Sequence, residues 1–203
     1  MKVLVLYYSS YGHIYELAKE IAAGAKEAGA DVRIKRVPEL VPASVIESKP
    51  RLKAGADLQK DVPIAEVAEL ADYDAIVFGS PTRYGNMAAQ MKNFIDQTGG
   101  LWAKGKLVNK VAGVFTGSSS MHGGQETTLI TMMIPLMHHG MIIVPAGYVS
   151  PEVDTTQAGG TPYGPSAFAG PDSLRPVDQV ERKIAKDFGR RIAEITKLLT
   201  RPK

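Results

Sequence analysis

The sequence predicts a doubly wound α/β domain, with a five-stranded parallel sheet covered by helices on both faces. Three observations carry that prediction. Five short apolar runs alternate with stretches of helical periodicity, the order expected when each strand feeds a crossover helix. The first run, Val3 to Tyr7, is continuously apolar, as in a strand buried on both faces. The 203 residues, 44% hydrophobic and 22% charged, suit one domain with a sizeable core.

The elements follow in order. After the first strand, Ile14, Leu17, Ala18, Ile21, Ala22 and Ala25 mark one helix face, with Gly29 as its stop signal. Val32 and Ile34 alternate with Arg33 and Lys35, which predicts a less buried strand at a sheet edge, ended by Pro38. Residues 38–72 are proline-dotted and polar, with one helix expected near Ile64 to Leu70. Asp74 to Gly79 is the third strand, and a helix through Met91, Phe94 and Ile95 follows it. Lys110 to Phe115 is the fourth strand, followed by a helix bearing Leu129, Met132, Met133 and Leu136, and Met141 to Val144 is the fifth. Residues 147–175 lose all periodicity; so long an irregular stretch in a compact domain is usually functional or disordered. The last helix is expected to start at Pro176, with Val177, Val180, Ile184, Phe188, Ile192, Ile195 and Leu199 on one stripe. Neither an internal repeat nor a second core is evident, so residues 1–203 read as one domain.

Composition removes several function classes. There is no cysteine, so disulfides, thiolate metal sites and thiol redox chemistry are excluded, and any redox function needs a bound cofactor. The first eight residues read as a strand rather than a signal peptide, and no apolar run reaches the roughly 18 residues of a membrane span, so a cytoplasmic protein is expected. The net charge is +3, but basic residues are interleaved with acids, as in Glu181-Arg182-Lys183 and Lys186-Asp187. That is a mixed solvated surface, and with no helix-turn-helix signature nucleic-acid binding is not expected.

In this architecture ligands bind beyond the carboxyl ends of the strands, which selects residues 8–14, 80–87 and 116–124. The first segment, Ser9-Ser10-Tyr11-Gly12-His13-Ile14, meets a helix amino terminus, where unpaired N–H groups favour an anion. It holds no P-loop lysine, no GxGxxG and no strand-end carboxylate for magnesium, which leaves a small phosphate ester held by neutral donors. Taken alone, it is a weak signal, and an ordinary strand–helix turn capped by serine fits it better. The second, Pro81-Thr82-Arg83-Tyr84-Gly85-Asn86, combines an aromatic ring with polar donors, the needs of a flat heteroaromatic ligand. The third, Thr116-Gly117-Ser118-Ser119-Ser120-Met121-His122-Gly123-Gly124, adds donors without charge. Together the three suit flavin mononucleotide, FMN. His138 and His139, adjacent on a helix, make a poor metal pair, and no metal site is expected.

These segments resemble the WrbA family of flavodoxin-like NAD(P)H:quinone oxidoreductases, as do Asp96-Gln97-Thr98-Gly99-Gly100-Leu101-Trp102, Gly123-Gly124-Gln125-Glu126, His138-His139-Gly140-Met141 and Gly159-Gly160-Thr161-Pro162-Tyr163-Gly164. The resemblance runs in order from residue 2 to about 170. It implies a flavodoxin-like sheet in the order 2-1-3-4-5, with the FMN phosphate at residues 9–14 and the isoalloxazine at Thr82 to Tyr84. Residues Thr116 to Gly123 would lie on its other side and His138 would complete the site. Tyr11 is the implied contact for NADH or NADPH, Trp102 the implied wall on the quinone side, and a homotetramer the implied assembly. The expected activity is ping-pong, two-electron quinone reduction, with His138 stabilising developing negative charge. A flavodoxin-type one-electron carrier is the alternative, disfavoured by the positive net charge. Without the motif, His138 reads as a helix-terminal histidine and Trp102 as a core or interface anchor. Residues 40–62 carry no motif and take no role from the resemblance.

Overall fold

The computed structural model describes residues 1–200; positions 201–203 of the expected domain lie outside the described residues. Lys2–Tyr7 forms β1, and every residue after Lys2 is buried. Val3, Val5 and Tyr7 enter one apolar core, Leu4 and Leu6 a second. Successive strand side chains face opposite ways, so a strand covered twice must be apolar throughout.

His13–Glu27 forms α1, which buries the predicted Ile14–Ala25 face, and Asp31–Arg36 forms β2 at the sheet edge. Two helices without a periodic signature follow, α2 at Ala43–Ser48 and α3 at Pro50–Leu58. The helix expected at 64–70 is replaced by a parallel bridge from Ile64 to Arg36 and a 3-10 turn at Val67–Asp72. The reason is local: Glu66 and Glu69 form a capping box around this short turn, and Leu70 is its one buried side chain.

The third strand, β3, spans Ala75–Arg83 and outruns its expected end at Gly79. Its extension pairs antiparallel with β4 at Asn86–Met87, so the second loop is a hairpin. Ala89–Asp96 forms α4 and Gly99–Ala103 forms α5. The fourth predicted strand, β5, spans Val111–Ser118 and likewise absorbs Thr116, Gly117 and Ser118 from the third loop. Then come α6 at Gln125–His138, β6 at Ile142–Ile143, α7 at Glu152–Thr155, β7 at Ser166–Phe168 and α8 at Gln179–Leu199.

The sheet runs β2-β1-β3-β5-β6, the predicted 2-1-3-4-5 once the hairpin strand β4 is set aside. One edge of β5 is shared: Val111 and Ala112 pair with β6, and Thr116, Gly117 and Ser118 pair with β7. Residues 144–165 are an excursion between those two short strands, so part of the segment expected to be irregular rejoins the sheet. Helices α1 and α8 cover one face, and α4 and α6 the other.

Two details of α8 differ from expectation. It starts at Gln179, after Pro176, because the Asp178 carboxylate accepts the Glu181 N–H while the Glu181 carboxylate accepts the Asp178 N–H, each at 2.8 Å. Its buried stripe ends at Thr196, and Leu199 is exposed. Among the described residues no helix is long and apolar enough to cross a membrane.

Candidate functional site

At the carboxyl edge of the sheet the chain encloses a cavity of about 390 Å³, within the roughly 300–1,000 Å³ of small-ligand sites. All three predicted loops contribute: Ser9, Ser10, Tyr11, His13 and Ile14 from the first, Pro81, Thr82 and Arg83 from the second, and Gly117, Ser118 and Ser119 from the third. Ala169, Pro171 and Ser173, which the sequence did not single out, form a further wall. Among the described residues, no carboxylate lines this cavity.

The first loop is built for an anion. Gly12 is the N-cap of α1 at φ 100, and α1 has no side-chain cap. Ser9 Oγ accepts the Gly12 N–H at 3.0 Å instead. The first-turn amides of α1, which no helix can satisfy internally, are thus left for a ligand. The Glu16 carboxylate in that turn pairs with Lys19 and Arg182. Among the described residues no group of three or more His, Asp or Glu side chains could hold a metal ion. The donor set fits a phosphate ester gripped by amides and hydroxyls.

The loops are braced against one another. Arg83 donates to Ser10 Oγ at 3.0 Å and to the Thr82 carbonyl at 2.8 Å, tying loop two to loop one. Behind them the Tyr8 hydroxyl meets Glu39 at 3.0 Å and accepts from Gln90 at 2.9 Å. Burial pushes the Tyr8 phenol up to about 12, with Ser10 opposing and Glu39 reinforcing the rise, so it stays protonated and donates to Glu39. Thr116 is buried and is not among the lining residues; it donates to the Ser80 carbonyl at 2.7 Å. A carbonyl can only accept, so the His13 Nε2 facing the Arg175 carbonyl at 2.9 Å carries the proton; that bond ties α1 to Arg175, whose N–H bonds the Ala169 carbonyl of the wall at 2.9 Å.

Helix α3, to which no role was assigned, supports the first loop from outside. Gln59 is buried, and its Nε2 donates to the Ser9 carbonyl at 2.8 Å and to the Gly55 carbonyl at 2.9 Å. A Cβ at Gly55 would sit 2.3 Å from the Ser10 carbonyl oxygen. A sequence pattern cannot signal this contact, since what α3 brings to the loop is one amide side chain and one missing methyl.

Several predicted residues lie elsewhere. Tyr84 and Gly85 are the turn of the β3–β4 hairpin, so the Tyr84 ring projects past the sheet, fully exposed, at φ 54. Ser120, Met121, His122 and Gly123 are not among the lining residues, because β5 carries only its first few loop positions to the cavity. His138, Trp102 and Asn86 line a second cavity of about 560 Å³ with Ile134 and Pro135. There Trp102 Nε1 donates to the His138 carbonyl at 3.1 Å, and both side chains are exposed. His139 is the buried member of the pair. Thr98 Oγ1 donates to the Ile95 carbonyl at 2.6 Å, so His139 Nε2, 2.7 Å from Thr98 Oγ1, must be the donor between them. Among the described residues its Nδ1 has no partner, and burial, followed by the neighbouring His138, lowers its pKa, keeping the ring neutral.

The chain matches the family model described as NADPH-dependent FMN reductase over residues 1–155. It is 52% identical over 198 residues to NAD(P)H dehydrogenase (quinone) 3 of Rhizobium meliloti (strain 1021), covering 96% of this chain and 91% of the relative. Among solved structures it resembles a WrbA-like flavodoxin from Agrobacterium tumefaciens, with TM-score 0.69 and 25% identity over 97% of this chain and 98% of the other. A flavodoxin from the domain Archaea shares the fold, with TM-score 0.63 and 20% identity over 97% and 99%.

Proposed function

The chain belongs to the NADPH-dependent FMN reductase family, and from that premise we propose that it binds FMN and reduces quinones with NADH or NADPH. It is an oxidoreductase of the WrbA-like group that its sequence motifs resemble. The observation that carries the proposal is the carboxylate-free cavity in which the uncapped first turn of α1 and three hydroxyl-bearing loops converge. The chemistry a bound FMN supplies is two-electron transfer in ping-pong order, a hydride from NAD(P)H and then to a quinone.

The protein's part is binding, orientation and electrostatics. Ser9, Ser10 and the first-turn amides of α1 hold the phosphate, replacing its hydration with fixed donors. Thr82, Arg83 and residues 117–119 meet the edges of the ring system, and the 169–173 wall excludes water from one side. His138 is proposed to donate to a flavin or quinone oxygen and to stabilise charge developing there. Within one chain it lines the other cavity, so it would serve the first cavity of a neighbouring subunit. An outward apolar face supports such an assembly, the proposed homotetramer: Ile130, Ile134 and Met137 on α6 are exposed beside Trp102. A cytoplasmic location is proposed with it.

The purified protein is expected to be yellow, or to become so with FMN, and to oxidise NADH or NADPH with benzoquinone as acceptor. Double-reciprocal plots at several quinone concentrations should be parallel. A protein that stays colourless and gains no visible absorbance with FMN removes the proposal. Trp102→Ala is expected to lower kcat/KM for the quinone by roughly tenfold, the scale of a lost aromatic contact of about 1–1.5 kcal/mol, with FMN affinity unchanged. If FMN affinity falls in step, Trp102 is a structural anchor.

A further inference from the structure

Helix α3 does more than support the first loop, because it also carries a cation to the cavity mouth. The Arg51 guanidinium lies over the Tyr11 ring, 5.3 Å from its centroid, and Tyr11 lines the cavity while remaining 45% exposed. A guanidinium held over an aromatic ring by cation–π attraction spends no N–H on that contact and keeps its donors available for an anion. The acids of α2 and α3 are engaged by another cation: Glu47 and Asp57 pair with Lys53 at 3.0 and 3.8 Å. Arg83, on the other flank of the loop, is committed to Ser10 and Thr82. Among the described residues, Arg51 is therefore the cation at this mouth with neither a carboxylate partner nor a bracing role.

We propose that Arg51, seated on Tyr11, binds a phosphate of the dinucleotide that reduces the enzyme; this rests on the reading of the chain as an NAD(P)H-oxidising flavoprotein. The inner cavity offers one set of uncharged amides and hydroxyls, matched to a single phosphate. A nicotinamide dinucleotide brings a pyrophosphate and, in NADPH, a further phosphate on the ribose. Those charges fall outside a cavity already holding the FMN phosphate and need a counter-charge at its rim. A guanidinium supplies both the charge and a two-point hydrogen-bonding edge. The cation–π contact with Tyr11 holds that guanidinium beside the opening through which the reductant enters.

The test uses the FMN-loaded, full-length protein and its Arg51→Ala and Arg51→Lys variants. Calorimetric titration with NAD⁺ and NADP⁺ gives dinucleotide affinity apart from turnover, and steady-state kinetics gives KM for NADH and NADPH. Because Arg51 is exposed, an unchanged Tm is expected in both variants. Arg51→Ala should weaken dinucleotide binding and raise KM by roughly five- to tenfold, with kcat and FMN affinity unchanged, and lysine should restore part of the loss. Equal weakening for both dinucleotides assigns the contact to the pyrophosphate; weakening confined to NADP⁺ and NADPH assigns it to the ribose phosphate. Unchanged affinity for both, or a loss of FMN affinity instead, overturns the proposal. Unsubstituted protein that binds no FMN would instead remove the functional reading itself, a result visible before any variant is made.

Discussion

Replacing Glu181 with alanine is expected to cost about 3–5 kcal/mol, because it removes a fully buried carboxylate and leaves its hydrogen-bond partners unpaired. Glu181 has no exposed surface, and its carboxylate is the hub of the 147–175 segment. It accepts N–H bonds from Gly159 at 2.9 Å, Phe168 at 2.8 Å and Asp178 at 2.8 Å, and it pairs with Arg175 at 3.0 Å. Alanine would strand those amides without acceptors, each at about 1–3 kcal/mol if it stays dry. Arg175 would lose less, since it retains Asp178 and is partly exposed. The consequence should reach the site, because β7 and the 169–173 wall hang from this hub and His13 bonds the Arg175 carbonyl. Denaturant melts should therefore show a large fall in midpoint, and protease should cut first within 147–175. Glu181→Gln keeps the shape but not the charge, and is expected to lie between alanine and the native protein. A loss under about 1 kcal/mol for alanine, the level of a surface charge, would mean that the segment is held by its apolar contacts.

That same residue shows where sequence reasoning stops. Glu181 stands in Glu181-Arg182-Lys183, which reads as a solvated run, and nothing in its neighbours marks it as fully buried. Burial of a charge depends on which amides the fold delivers to it, and Gly159 and Phe168 are distant in sequence. The sheet was legible because long elements bury several residues with a fixed period, as α1 does with Ile14, Leu17 and Ile21. Helix α3 buries only Gly55, so it leaves no stripe to find, and β7 is three residues long. The site was legible at the level of loops, since strand ends in a parallel sheet are predictable. The side chains that line it depend on how far β3 and β5 continue before the chain turns. Those extensions turn Tyr84 outward and bring residues 117–119, rather than 120–123, to the cavity.

The second large effect is expected at Gly55, where adding a single methyl group should weaken FMN binding about a hundredfold. Helix propensity alone favours alanine over glycine inside α3 by about 1 kcal/mol, so any loss runs against the intrinsic preference. The opposing force is steric: the new Cβ would lie 2.3 Å from the Ser10 carbonyl oxygen and 2.9 Å from Tyr11 Cα, both main-chain atoms of the phosphate loop. Main chain cannot rotate aside as a side-chain end can, so either α3 lifts or the loop moves. Lifting α3 breaks the Gln59 bond to the Ser9 carbonyl; moving the loop displaces the amides that hold the phosphate. Either response misplaces donors by roughly 1 Å, enough to lose most of a preorganised contact. Flavin fluorescence quenching on titration would measure the affinity, and circular dichroism would show that the fold persists. Gln59→Leu removes the bond without the clash and should raise the FMN dissociation constant by a smaller factor, roughly five- to tenfold, the worth of about one buried hydrogen bond. If Gly55→Ala binds FMN as tightly as the native protein, the first loop is rigid without α3, and α3 serves the cavity mouth alone.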